Sequence, residues 1–167
     1  MISPTVHDLG PDPNTKYRLN AWSYQQHAIT SFQGWQYAAF YRADQPKPDH
    51  VRHVVLSRRR LIDDVWESLE LRDYEQTADD GHNTVSIGIC RGDGTLHISF
   101  DHHCDQLRYR VSAKGLALHP EEFSWSASLF GPVLESLGSN GPTPFPITYP
   151  RFVSAGTELL LECRLGK

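Results

Sequence analysis

Chemistry-bearing side chains are densest between residues 79 and 110. Asp79-Asp80-Gly81-His82-Asn83 comes first, then Asp101-His102-His103-Cys104-Asp105, then Arg108-Tyr109-Arg110. Imidazoles titrate near neutral pH, so two of them facing one cleft can remove and return protons. Each cluster borders a run with strand character, His82 just before one run and His102-His103 just after the next. An antiparallel hairpin brings both clusters to the same end of a sheet, with His82 beside one of the two later histidines. Successive side chains on a strand point to opposite faces, so only one of His102 and His103 can share the face of His82. The competing structural reading is that these histidines are satisfied by Asp79, Asp80 or Asp101 at a sheet edge. Metal ligation by His97, His102, His103 and Cys104 fits poorly, because consecutive strand residues diverge, and no metal centre is assigned. No Gly-x-Ser-x-Gly elbow is present. The acids Glu67, Glu70, Glu121 and Glu122 lie outside the histidine cluster, which leaves a two-carboxylate glycosidase open but unsupported.

The elements that must position these residues are short and alternating. Residues 35–41, 51–57, 84–89, 95–100, 106–111 and 158–163 read as strands. Residues 59–69 carry the best helical spacing, through Leu61, Ile62, Val65, Trp66 and Leu69, and the match is weak. Gly92-Asp93-Gly94 predicts a tight hairpin turn, and the segment from Gly138 to Pro144 a loop. The chain is therefore expected to be all-β.

The strands also repeat. Gly34, Gly94 and Gly156 each open a strand and lie 60 and 62 residues apart, while Trp66 and Trp125 are 59 apart. Units of about four strands at this period read as β-propeller blades, which bury their faces only against neighbouring blades. The spacing predicts an N-terminal extension over 1–22, a first blade over 23–79, a second over 80–142 and a partial third over 143–167. On this reading the sequence is a fragment holding about two and a half four-stranded blades. A β-sandwich is the rival architecture, but it does not require its strand groups to repeat.

Composition narrows the function classes. Of 167 residues, 39% are hydrophobic and 22% charged, with a formal net charge of -4. No basic stripe is present, so neither nucleic acid nor an anionic membrane is an expected partner. No apolar run is long enough to span a bilayer. The start, Met1-Ile2-Ser3-Pro4, lacks the charged and apolar regions of a secretory signal, so localisation stays open, with secretion expected if a leader precedes it. Cys90, Cys104 and Cys163 form neither a disulfide framework nor a paired zinc motif. No cofactor is evident, and a structural divalent metal in a longer chain is left open.

A resemblance enters at the histidine clusters. The stretch from Asp80 to Ile89, followed by Asp93 to His103, resembles the signature of the BNR-repeat β-propeller family. Gly34-Trp35-Gln36-Tyr37 with Leu56-Ser57-Arg58-Arg59 supports it, as does Thr148-Tyr149-Pro150-Arg151-Phe152 with residues 160–166. The similarity runs from about Ser23 onward and corresponds to the N-terminal blades. It implies a seven-bladed propeller related to ulvan lyases and to lyases that cut rhamnose from glucuronate. The Ser-x-Asp-x-Gly-x-x-Trp box of sialidases is absent.

What the resemblance implies chemically is β-elimination at a uronic acid in a polysaccharide or oligosaccharide. His82 and His103 match the histidines of the active face, one as general base and the other orienting or neutralising the substrate. The Tyr and Arg residues that complete such sites are expected in later blades. Asn83, His102, Tyr149 and Arg151 are the substrate-binding candidates. Asn83 serves equally as a turn cap, and Arg151 either clamps a carboxylate or makes a surface ion pair. Trp22, Trp35, Trp66 and Trp125 are expected in the core rather than stacked on sugar. The alternatives to catalysis are a carbohydrate-binding propeller and an inactive truncated scaffold.

Overall fold

The computed structural model describes residues 4–24, 27–45, 50–138 and 140–166. Met1-Ile2-Ser3 and Ser139 of the loop after Gly138 lie outside the described residues. Ten strands are assigned among the described residues. They are β1 (Ile29–Phe32), β2 (Trp35–Ala43), β3 (Arg52–Arg60), β4 (Glu67–Gln76) and β5 (Val85–Cys90). The rest are β6 (Thr95–Phe100), β7 (His103–Asp105), β8 (Tyr109–Val111), β9 (Ile147–Ala155) and β10 (Glu158–Leu165).

They form three antiparallel sheets, ordered β1-β2-β3-β4, β5-β6-β8 and β10-β9-β7. Two isolated bridges, Tyr109 to Leu134 and Ser112 to Phe130, stand where the second sheet would carry a fourth strand. The described sheets do not close into a ring.

Period-two alternation builds the stack. On β5, Val85, Ile87 and Ile89 face the first sheet and join Tyr37, Ala39, Tyr41, Val54 and Leu56 in the main core. The alternate residues are small and face the third sheet: the Ser86 hydroxyl donates to the Pro150 carbonyl at 2.6 Å. A Cβ on Gly88 would lie 2.4 Å from the Phe152 Cβ, so glycine is required for β5 to approach β9 this closely. Both faces of the second sheet are thus covered. Among the described residues the third sheet is covered on one face only, through Phe152, Leu159 and Leu161, and Leu160 on its other face is 52% exposed.

The repeat glycines mark equivalent hairpins. Gly34, Gly94 and Gly156 have φ of 81°, 69° and 65°, in the turns β1–β2, β5–β6 and β9–β10. Residues 59–69 are not a helix. They finish β3, turn, and begin β4, because Arg58 pairs with Glu67 in the ladder. Leu61, Ile62 and Val65 are exposed at that turn, so their helical spacing carried no burial. The predicted run 106–111 shrinks to β8, and β1, β4, β7 and β9 were not foreseen.

Polar residues also hold the sheets. The buried Arg58 lies between the rings of Trp35 and Trp125, at 5.2 and 4.9 Å. It donates to the carbonyls of Pro120 and Phe123 and pairs with Glu67. Trp35 and Trp125 are therefore occupied in packing, as expected for blade-repeat positions.

Candidate active site

The turn before β5 begins with the Asp79 carboxylate, which accepts the backbone N–H groups of Lys16 and Tyr17. Asp80 follows, and its Oδ1 accepts the backbone N–H of His82 at 2.9 Å. This is an Asx-type closure that Asp favours at such turns. A Cβ on Gly81 would meet the Trp22 ring at 2.6 Å, so the absent side chain lets the turn seat against that indole.

His82 and His103 come together, as the sequence led one to expect, but by another route. His82 sits in the turn ahead of β5. His103 begins β7, which pairs with β9 of the third sheet instead of with β5. The two are therefore not on neighbouring strands of one blade. Their rings stack at a centroid distance of 4.0 Å, 18° from parallel. Tyr24 stacks on His82 at 4.5 Å, and Tyr149 lies tilted 5.5 Å from the same ring.

Asp80 joins the pair. Its Oδ1 lies 2.5 Å from Nδ1 of His82 and its Oδ2 lies 2.7 Å from Nδ1 of His103. Partial burial works to raise the Asp80 pKa, but the His82 backbone N–H and the two imidazoles outweigh it and bring it down to about 2. The carboxylate is ionised at neutral pH and only accepts, so each Nδ1 carries the proton it donates. The Nε2 atoms are then the free basic positions. The short N···O separations suit a shared proton.

His102 faces the interior. It is 0% exposed, and its Nε2 accepts the backbone N–H of Arg108 at 2.8 Å, fixing the loop from β6 to β8. Burial, reinforced by Arg108 and opposed by Asp105, lowers its pKa to about 3, so it stays neutral and cannot reach a substrate. Asn83 is buried as well and donates to Oδ1 of Asp101 at 2.6 Å. Asp101 also accepts from Tyr74 and Gln76, tying β4 to the end of β6. Neither His102 nor Asn83 is placed to touch a sugar directly; both support the frame behind the pair.

Arg151 is held by Glu162 through contacts of 2.7–3.0 Å, the ion-pair alternative left open for it. Arg164 stands closer to the site. Its guanidinium lies 5.0 Å from the centroid of the Tyr149 ring, and it donates to Oγ1 of Thr148 at 3.2 Å. No acidic side chain pairs with it among the described residues. Tyr149 thus stands beside His82, and Arg164 stands beside Tyr149 and Thr148. Tyr149 and Arg164 border an open depression of about 350 Å³ shared with Arg151, Glu162 and Cys163. Asp80 is the partner that the competing structural reading of the histidines had named, here shared by both rings, while Tyr24 and Arg164 were missed from the sequence.

The backbone around the pair is unusual. Asp101, Cys104 and Tyr149 have φ of 65°, 55° and 58°, in the left-handed region that non-glycine residues rarely adopt. Such outliers cluster where surrounding structure over-determines side-chain direction. Here they turn His103 and Tyr149 toward His82.

The fold defines an unclosed all-β domain of stacked antiparallel sheets, the arrangement of part of a β-propeller. The crystal structure of the polysaccharide lyase Uly1 is similar, with a TM-score of 0.74 at 20% identity over 97% of this chain and 40% of that one. The chain thus spans about two-fifths of the length of that protein. Residues 35–167 match the model of the BNR repeat-containing family, and the chain belongs to that family. No match is found among curated proteins. No helix among the described residues is long and apolar enough to cross a membrane.

Proposed function

We propose that this chain forms the first blades of a seven-bladed propeller that cleaves a uronate-containing glycan by β-elimination. The observation that carries the reading is the pair of stacked imidazoles with both Nδ1 atoms on one carboxylate. In the reaction the C5–H bond breaks, its electrons form the C4=C5 double bond, and the C4–O4 bond breaks as O4 gains a proton. Nε2 of one imidazole takes the C5 proton, and the other stays in place to orient the sugar. In this reading Arg164 neutralises the uronate carboxylate, which acidifies C5, and the Tyr149 hydroxyl protonates O4. The open face of the third sheet and the two-fifths coverage of the solved lyase support a longer propeller around this arc.

A second reading, a carbohydrate-binding propeller without turnover, is favoured by one feature. The depression beside the site is lined by Tyr149 and Arg164 and by neither imidazole. The complete protein incubated with glucuronate-rich polysaccharides separates the two. Ultraviolet absorbance of an unsaturated uronate product supports the lyase; binding to the same glycans with no such product supports the binding module.

A further inference from the structure

At the far end of the β5–β6 hairpin, Cys90, Asp93 and His97 converge, with one ligand atom from each within 4.8 Å of the others. We propose that these three side chains bind a zinc-like divalent metal, at a site separate from the histidine pair. Thiolate, carboxylate and imidazole together are a borderline-soft donor set, which suits Zn²⁺ and does not suit Ca²⁺ or Mg²⁺. Bonds of about 2.0–2.3 Å put tetrahedral ligand atoms roughly 3.3–3.8 Å apart. Small side-chain rotations at a turn close the remaining gap. A turn cap accounts for part of the cluster, since Asp93 accepts from the backbone N–H and hydroxyl of Thr95. The Cys90 thiol also hydrogen-bonds Asp93, and His97 reaches that carboxylate through the Thr95 hydroxyl, so thiol, carboxylate and imidazole already face one point.

The surroundings also suit a metal. His97 Nδ1 lies 2.5 Å from the Tyr109 hydroxyl, the kind of outer partner that orients a ligating imidazole and leaves Nε2 for the metal. Nε2 now contacts the Thr95 hydroxyl at 2.6 Å, a bond that metal binding would replace while Thr95 keeps its bond to Asp93. His97 and Tyr109 line a cavity of about 200 Å³. The Thr157 carbonyl, in the β9–β10 turn, lies 3.4 Å from Cys90 Sγ and marks where a fourth ligand, protein or water, would stand. A bound ion would then join the tips of two hairpins in adjacent sheets. Binding releases the Cys90 thiol proton to solvent as the sulfur–metal bond forms.

The test is titration of the chelator-treated full chain with Co²⁺. The expected result is one ion per chain, with a thiolate-to-cobalt charge-transfer band and the intense visible bands of four-coordinate cobalt, both removed by excess Zn²⁺. Cys90→Ser should abolish the charge-transfer band, and Tyr109→Phe should keep the band but weaken affinity about 10- to 100-fold. Absence of the band in the unaltered protein overturns the proposal. So does a band that survives Cys90→Ser and disappears in Cys104→Ser or Cys163→Ser. If Cys90→Ser does not fold, His97→Gln and Tyr109→Phe decide, and unchanged cobalt affinity in both overturns the site.

Discussion

The two ends of the β5–β6 hairpin carry polar clusters of similar composition and different build. At the Asp80 end, one carboxylate holds two imidazoles by N···O contacts of 2.5 and 2.7 Å, and the His103 side chain is 42% exposed. At the Asp93 end, a carboxylate, an imidazole and a thiol gather on a single turn, and His97 faces a small cavity. The first cluster is assembled from three parts of the chain: the 80–82 turn, β7, and Tyr149 on β9. The second is nearly local in sequence, within eight residues. Short contacts to one carboxylate and an exposed His103 suit acid–base chemistry on a ligand from solvent. Convergent sulfur, nitrogen and oxygen donors on one turn suit an ion that stiffens the hairpin. The same residue types serve different ends because the distances between them differ.

That contrast can be broken experimentally, and the largest effect belongs to the histidine pair. In the complete protein, His82→Ala and His103→Ala should each lower turnover on a glucuronate-rich polysaccharide by at least about a hundredfold, with melting curves nearly unchanged. Turnover like the unaltered protein's in both would move the Asp80 end into the binding-module reading. His97→Ala, at the other end, should show chiefly as a lower melting temperature.

Asp80→Asn comes next. An amide can accept from one imidazole but offers N–H to the other, so one ring loses its Nδ1 partner and its orientation. A displacement of that kind costs about a hundredfold in turnover. The acid limb of the rate profile should move as well, which a merely structural role would not cause. An Asp80→Asn protein with unaltered rate and profile would show that the carboxylate does not position the pair.

A third effect separates His102 from its neighbour. Burial, with Arg108 adding to it, lowers the His102 pKa from 6.5 to about 3, and burial lowers that of His97 to about 4. Both fold in the neutral form, so their stability contribution is intact above 6.5 and is lost as pH falls toward those values. The Asp80 contribution is lost later, as pH falls from 3.8 through about 2. Urea midpoints should therefore drop between about pH 6.5 and pH 4, and His102→Gln should flatten that slope. A slope confined to the region below about pH 4 would assign acid sensitivity to the carboxylates alone.

The smallest effect concerns the turn itself. Gly81→Ala drives a methyl group into Trp22 and should cost about 1–3 kcal/mol, read by urea denaturation. No loss would mean that Trp22 yields and does not fix the turn.

Several features were legible from residue order. The β6 boundaries, Thr95–Phe100, were expected as found, because strict alternation of Leu96, Ile98 and Phe100 leaves one register that buries them. The glycine spacing located three strand starts, and each proves to lie in a hairpin turn, which needs a residue at positive φ where two strands reverse. Other features were hidden. β4, with the sequence ESLELRDYEQ, carries charges that read as loop, yet its backbone is held by the β3 ladder. β9 contains Pro150, which argues against a strand until its place beside the short β7 is known.

The candidate site divides the same way. Sequence alone determined that imidazoles and carboxylates would crowd one end of a hairpin, because alternation and turn residues act over a few positions. It determined too that only one of His102 and His103 could face His82. Tertiary structure decided which: the left-handed backbone at Asp101 and Cys104 buries His102 and swings His103 onto Asp80. It also decided that Tyr149 stands beside His82 and Arg164 beside Tyr149, while Arg151 is held by Glu162. Those neighbours come from segments some 40–80 residues away, and no local pattern encodes contacts made only when separate sheets stack and the chain between them is fixed.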